Sequence, residues 1–244
     1  MSVVLRADSV GKAFRGRVVL TSAYFEAAAG EVTALMGRNG SGKSTLLKIA
    51  AGWVRPDHGF VEFLGRRYLR PRPGKVAAAG LFHLPVDRSI LSPHFTLGEH
   101  LDALEKRFGR GERRALLERL GIARVEAVRC AALSGGERRR AEVAVALLRR
   151  PVCLLADEPF RGVDPKDAEV VQAALRDLAR EGCAVVLTGH EMGWVLELAD
   201  RFVWVRDGST QPLGDRGETL AHWRFRREYL GVRSQDTLSR LHDD

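Results

Sequence analysis

Gly37-Arg38-Asn39-Gly40-Ser41-Gly42-Lys43-Ser44-Thr45 decides the fold of this 244-residue chain. It fits G-x-x-x-x-G-K-[ST], the phosphate-binding loop pattern. Glycines let the backbone turn tightly, so that successive N–H groups point at one anion. Lys43 adds a cation that reaches the β- and γ-phosphates, and the Ser44 hydroxyl is placed to bind Mg²⁺. The flanks agree with this reading. Glu31 to Met36 reads as a short buried strand entering the loop, and Ser44 to Ala51 as the helix leaving it. That helix aims its positive N-terminal dipole at the phosphates.

Working outward, the rest of the chain alternates strand and helix signals. Val3 to Val10 and Val18 to Phe25 alternate as strands of an N-terminal antiparallel sheet, with Lys12 to Gly16 as the turn between them. Phe60 to Gly65 reads as a further strand. The basic loop Arg70-Pro71-Arg72-Pro73-Gly74-Lys75 is too rich in proline to continue a helix or an inner strand. Ala77 to Leu84 is the next buried segment. From Asp87 to about Ala132 the character changes to charged helices with leucines at helical spacing, an insert separate from the strand-rich parts around it. Val152 to Ala156 and Ala184 to Thr188 are continuous apolar runs, as strands covered on both faces require, with the amphipathic stretch Ala168 to Arg180 between them. This order predicts a parallel α/β sheet.

Composition bounds the partners. Hydrophobic residues make up 45% and charged residues 29%, the profile of an ordinary globular protein, while a formal net charge of +8 favours anionic partners: nucleotide, nucleic acid or an anionic membrane surface. The three cysteines, Cys130, Cys153 and Cys183, form no C-x-x-C pair, so neither a cysteine zinc site nor a disulfide framework is indicated. No apolar run approaches the roughly 18 residues of a membrane helix.

Two further stretches carry chemistry. Val152-Cys153-Leu154-Leu155-Ala156-Asp157-Glu158 is a buried strand ending in two acids at the sheet edge where α/β folds bind ligands. Asp157 suits Mg²⁺ coordination through water, and Glu158 suits a base that orients or deprotonates the attacking water. His190 ends the next strand, placed to hydrogen-bond a γ-phosphate. Leu133-Ser134-Gly135-Gly136-Glu137 has capping-box spacing from Ser134 to Glu137. Two glycines in the first turn of a helix cost about 1 kcal/mol each relative to alanine. That cost is intelligible if their N–H groups must approach an anion closely. One subunit has no obvious way to bring this second helix end to the nucleotide of its own loop.

With the loop, the Leu133–Glu137 stretch and the strand-end acids in this order, the chain resembles the ATP-binding cassette (ABC) ATPases over nearly its whole length. The resemblance implies an α/β P-loop NTPase core with an N-terminal antiparallel β-subdomain and a helical signature subdomain at about 87–150. All of it would be one domain, 1–244, with a short C-terminal extension at about 215–244. It implies ATP held by Gly37–Thr45, with Phe14 stacked on adenine, and Mg²⁺ held by Ser44 and Asp157. Lys43, Glu158 and His190 would act in catalysis. It implies that two copies pair head to tail, so that Ser134, Gly135, Gly136, Glu137 and Asp164 meet the ATP of the partner. A separate transmembrane subunit is expected, touching residues Val86–Leu101, with the ATPase peripheral on the cytoplasmic face. No nucleic-acid partner is expected.

One position departs from the family. A glutamine is expected after Leu84-Pro85, and here Val86 and then Asp87 follow. Valine cannot bind Mg²⁺ or orient water. Either Asp87 substitutes, or the insert couples differently, or hydrolysis is slow. Within the family, the run from Ser134 to Arg140, the run from Asp157 to Pro165 and Tyr229-Leu230-Gly231 are most similar to the lipopolysaccharide-export ATPases. The last is also similar to branched-chain amino-acid import ATPases. A soluble ABC ATPase outside transport and a weakly hydrolysing nucleotide-binding module are the remaining readings. Trp223-Arg224-Phe225-Arg226-Arg227 reads as an amphipathic end packed on its own domain, with a membrane surface, a partner or nucleic acid as alternatives.

Overall fold

The structure, a computed structural model, describes residues 2–109 and 113–231. The part of the expected C-terminal extension beyond residue 231 lies outside the described residues. Ten strands among the described residues form one sheet in the order β5-β4-β1-β2-β10-β9-β3-β8-β7-β6. Two kinds of pairing meet in it. β1 (Val3–Phe14), β2 (Arg17–Ala28), β4 (His58–Phe63) and β5 (Arg66–Tyr68) pair antiparallel. β3 (Val32–Met36), β6 (Leu81–Leu84), β7 (Cys153–Ala156), β8 (Ala184–Gly189) and β9 (Arg201–Arg206) pair parallel. β10 (Ser209–Gly214) turns back antiparallel on β9 and meets β2 through Ser209 and Ser22.

The parallel strands are short and mostly apolar because both faces are covered. In β8, Val185 and Leu187 enter one core, while Ala184 and Val186 enter the other. The first core is closed by α5 (Gly135–Leu148), α6 (Pro165–Arg180) and α7 (Met192–Leu198); the second by α1 (Lys43–Ala50) and the antiparallel strands. Between β6 and α5 lie α3 (Leu97–Phe108) and α4 (Arg113–Arg119); Leu97, Leu101 and Leu117 on these helices are fully buried and continue the first core. Among the described residues no helix is long and apolar enough to cross a membrane.

Local chemistry moves two boundaries from their sequence-based expectation. The first hairpin runs further than read, and its turn is two residues rather than the stretch Lys12 to Gly16. Arg15 and Gly16 both take positive φ, 48° and 82°, the twist a two-residue hairpin turn requires. The Pro-rich loop also ends sooner: Pro73 opens a helix, α2 (Pro73–Ala78), because proline at a first helical position gives up an N–H that would have no partner there. At the other end, Trp223 is exposed, while Phe225 is fully buried, its ring centroid 5.6 Å from that of Trp204. The end therefore packs on its own domain.

Candidate nucleotide site

The carboxyl ends of β3, β6, β7 and β8 lie in register along one edge: Met36 opposite Gly189, and Ala156 opposite both Leu84 and Leu187. Whatever follows each strand is therefore brought together. The loop after β3 bends into α1 through Gly42, whose φ of 106° favours glycine. Residues 38–45 line a cavity of about 1250 Å³, and Val86, Glu158, Arg161 and His190 line it too.

Lys43 is 4% exposed. Its Nζ donates to the carbonyls of Gly37 at 2.7 Å and Arg38 at 3.1 Å. Burial lowers its pKa, against the opposing pull of Glu158 and Asp157. A cation desolvated in this way interacts strongly with an incoming anion. Ser44 Oγ donates to Asp157 Oδ1 at 3.0 Å, and Thr188 Oγ1 donates to the same oxygen at 2.6 Å. Asp157 is fully buried, and its second oxygen, Oδ2, has no hydrogen-bond partner. A buried carboxylate oxygen without a donor, beside a serine hydroxyl, fits a hard oxygen-seeking cation. Among the described residues no three His, Cys, Asp or Glu side chains converge to hold a metal. One carboxylate and one hydroxyl suit Mg²⁺, which takes one or two protein ligands and completes its shell with phosphates and water.

Glu158 is 9% exposed. Its backbone sits at φ 46°, in the left-handed region, and its N–H donates to Thr188 Oγ1 at 3.0 Å. Its carboxylate faces His190 Nδ1 at 3.8 Å and Arg161 Nη1 at 3.5 Å. The edge can thus hold an anion at Lys43, a cation at Ser44 and Asp157, and a base beside both.

Other sequence-predicted residues lie apart from this cavity. Phe14 stands at the hairpin tip, 43% exposed, with Lys12 Nζ 5.3 Å from its ring centroid. Asp87 lines a second, smaller cavity with Trp53, His83 and Arg88, and Lys48 holds it at 2.7 Å. Ser134 caps α5 with the predicted box: its Oγ accepts from Glu137 N–H, and the Glu137 carboxylate accepts from Ser134 N–H. Asp164 caps α6 by accepting from Asp167 N–H at 3.0 Å. The two signature glycines differ. A Cβ on Gly136 would lie 2.1 Å from Asp167 Oδ2, whereas one on Gly135 would meet nothing within 4 Å. Gly136 therefore has a packing reason to be glycine within its own chain. Gly135 has no such reason within its own chain.

Three residues of the site were not singled out for a role by sequence reasoning. Thr188 ties Asp157 to the Glu158 backbone; its signal was a lone hydroxyl closing an apolar strand. Tyr229 lines the main cavity from the C-terminal turn, its pKa raised by burial and drawn down by the Gly37 backbone. Arg139 is buried beneath the edge, and nothing in the run Arg138-Arg139-Arg140 distinguishes it.

The comparisons with known proteins agree with this geometry. Residues 20–161 match the ABC transporter family. The chain is 36% identical to the lipopolysaccharide export system ATP-binding protein LptB of Acidithiobacillus ferridurans, covering 96% of this chain and all of that protein. It is 33% identical to a phosphonates import ATP-binding protein of Pseudomonas aeruginosa, over 88% of this chain and 87% of that one. Its fold superposes on a nucleotide-free ATP-binding cassette from an ABC transporter with a TM-score of 0.79, at 22% identity and with both chains fully covered. The phosphate loop, the strand-end acids and these likenesses together place the chain in the ABC transporter family, as an ATP-binding, ATP-hydrolysing subunit.

Proposed function

We propose that this subunit binds MgATP at the β3–β8 edge, pairs head to tail with a second copy around two such nucleotides, and drives a separate transmembrane partner in the export of lipopolysaccharide or another lipid. The observation that carries the nucleotide chemistry is that Lys43, Ser44 and Glu158 line one cavity, with Asp157 buried behind it on Ser44 and tied to the Glu158 backbone through Thr188. The N–H groups of Gly37–Thr45 and Lys43 cradle the phosphates. Ser44 and the free oxygen of Asp157 hold Mg²⁺, which neutralises phosphate charge when bound. Glu158 orients and deprotonates the attacking water, and His190, on the rim beside it, steadies the γ-phosphate. Phe14 stacks on adenine from the hairpin tip.

The partner copy supplies Ser134, Gly135, Gly136, Glu137 and Asp164 to the γ-phosphate, and the missing side chain of Gly136 also lets that helix end seat against Asp167. Asp87 takes no part in the metal site in this arrangement, since Lys48 holds it over the second cavity. That cavity, beside Val86–Leu101, is where the transmembrane partner docks. The residues form one domain over 1–244, with the helical part at about 87–150 inserted in the core and a short C-terminal extension from about 215. Membrane association, on the cytoplasmic face, comes through the partner. Export of a lipid rests on the 36% identity to the lipopolysaccharide-export protein; the 33% identity to a phosphonate importer supports import as the second reading.

Two experiments test this. Light scattering on Glu158→Gln with and without MgATP gives a dimer only with nucleotide; a monomer throughout refutes the pairing. Tagged protein purified from membranes then brings down its transmembrane subunit for mass spectrometry. A lipid exporter retains turnover stimulation by lipopolysaccharide in detergent, and stimulation by a solute-binding protein instead establishes import.

A further inference from the structure

Arg139 lies in the second turn of α5 and is 8% exposed. Its guanidinium reaches across to the far ends of two strands. Nη2 donates to the carbonyls of Asp157 at 3.0 Å and Glu158 at 2.9 Å, and Nε donates to that of Pro159 at 3.0 Å. Nη1 donates to Glu142 Oε2 at 3.1 Å and to the Pro85 carbonyl at 3.4 Å. One side chain thus grips three consecutive carbonyls after β7 and the residue just beyond β6. The chain of contacts continues into the helical region: Ser89 Oγ donates to Glu142 Oε1 at 2.6 Å and accepts from Leu91 N–H at 3.1 Å.

We infer that Arg139 is a positioning residue for the hydrolytic step. It sets where the Glu158 carboxylate points and ties it to the helix whose N-terminus carries Ser134–Glu137. The inference rests on the proposed role of Glu158 as the water-activating base.

Three observations converge on it. The Glu158 backbone is in a conformation that residues with side chains rarely adopt, φ 46°, so neighbours must hold it there. Its N–H is held by Thr188 from one side and its carbonyl by Arg139 from the other, which fixes the direction in which the side chain leaves. The third concerns Val86. A valine offers no hydrogen bond across the cavity, so at this position the side chain does not link the helical region to the catalytic edge. Arg139 makes that link at the neighbouring carbonyl, Pro85, and through Glu142 and Ser89. A shift of α5 on pairing would therefore be passed to Glu158 by a rigid fork of donors rather than through residue 86. Lysine cannot replace it, because one ammonium cannot span acceptors on both strand ends.

The test compares wild type, Arg139→Lys and Glu158→Gln as full-length protein, measuring steady-state phosphate release and the affinity for a fluorescent ATP analogue. Arg139→Lys is expected to lose about ten-fold or more in kcat while its ATP KM and its affinity stay within about two-fold of wild type, the signature of an interaction made only in the transition state. A merely structural role would instead lower thermal stability and move KM with kcat. Wild-type kcat in Arg139→Lys, or a matching loss of ATP affinity, overturns the inference. Glu158→Gln separates the two levels: if it turns over like wild type, the reading of Glu158 fails, whatever Arg139 does. Should Arg139→Lys not fold, Glu142→Gln keeps the shape and removes the charge that orients Arg139. It is expected to lower kcat about three-fold at constant KM, and an unchanged kcat in that variant overturns the inference as well.

Discussion

Alanine at the two adjacent signature glycines should have opposite effects on stability, and the comparison tests the head-to-tail reading directly. At Gly135 an added methyl meets nothing within 4 Å inside the chain. Replacing a helical glycine by alanine is worth up to about 1 kcal/mol in stability. For a chain of this size that is a rise of about 2–4 °C in Tm. At Gly136 the same methyl lands 2.1 Å from Asp167 Oδ2, while the other oxygen of that carboxylate holds Arg140 Nη1 at 2.6 Å. Both side chains of that pair are nearly buried, at 13% and 12% exposure. Displacing Asp167 strips a buried cation of its partner, at a cost of about 3 kcal/mol that the helix-propensity gain offsets by only about 1. A net loss of about 2 kcal/mol lowers Tm by about 4–8 °C. Activity separates from stability. Gly135→Ala, although the more stable protein, should lose about ten-fold or more in kcat, equivalent to about 1.4 kcal/mol, if a γ-phosphate of the second copy must come against that backbone. Differential scanning fluorimetry and phosphate release on the two variants supply both readings. Gly135→Ala with full turnover would refute the approach in trans, and equal destabilisation at both sites would refute the packing argument.

Other expectations are as sharp. Glu158→Gln should keep ATP binding and lose about a hundred-fold or more in turnover, as the removal of a positioned base commonly does; turnover within a few-fold of wild type in phosphate release counts against that role. Val86→Gln puts an amide on the cavity wall and is expected to raise Mg²⁺-dependent kcat about ten-fold, part of the ~10² one placed donor supplies; an unchanged kcat means that residue 86 does not face the reaction. His83 is a pH sensor of stability: burial holds its pKa down to about 4, from the 6.5 of an exposed histidine. The unfolded chain therefore takes up the proton first, so stability is full above pH 6.5 and falls as pH drops towards 4, by up to about 3 kcal/mol. Urea denaturation at pH 7.5 and 4.5 should show that slope flattened in His83→Gln; the same slope in both proteins would contradict it.

Much of this architecture is legible in the chain because its signals are local. The run from Val32 to Met36 is uniformly buried, as a strand covered on both faces must be, and the loop after it needs glycine wherever the backbone turns left-handed. The Ser134 and Glu137 box forms as spaced, because capping depends on residues three apart. The hairpin's tight turn and the Pro73 helix escaped because turn type and helix start depend on single φ angles that composition does not report.

What the sequence by itself determined was therefore most of the core strands and helices, the phosphate-binding turn and the acids that end β7, all governed by neighbours within a few residues. Only the tertiary structure decided which polar groups meet across strands: Thr188 on Asp157, Asp87 on Lys48 instead of the nucleotide edge, and Arg139 chosen from three consecutive arginines. The reason is geometric. Strand register and helix packing set those distances, and residues such as Ser44 and Asp157, 113 positions apart, become hydrogen-bond partners only when the sheet is assembled.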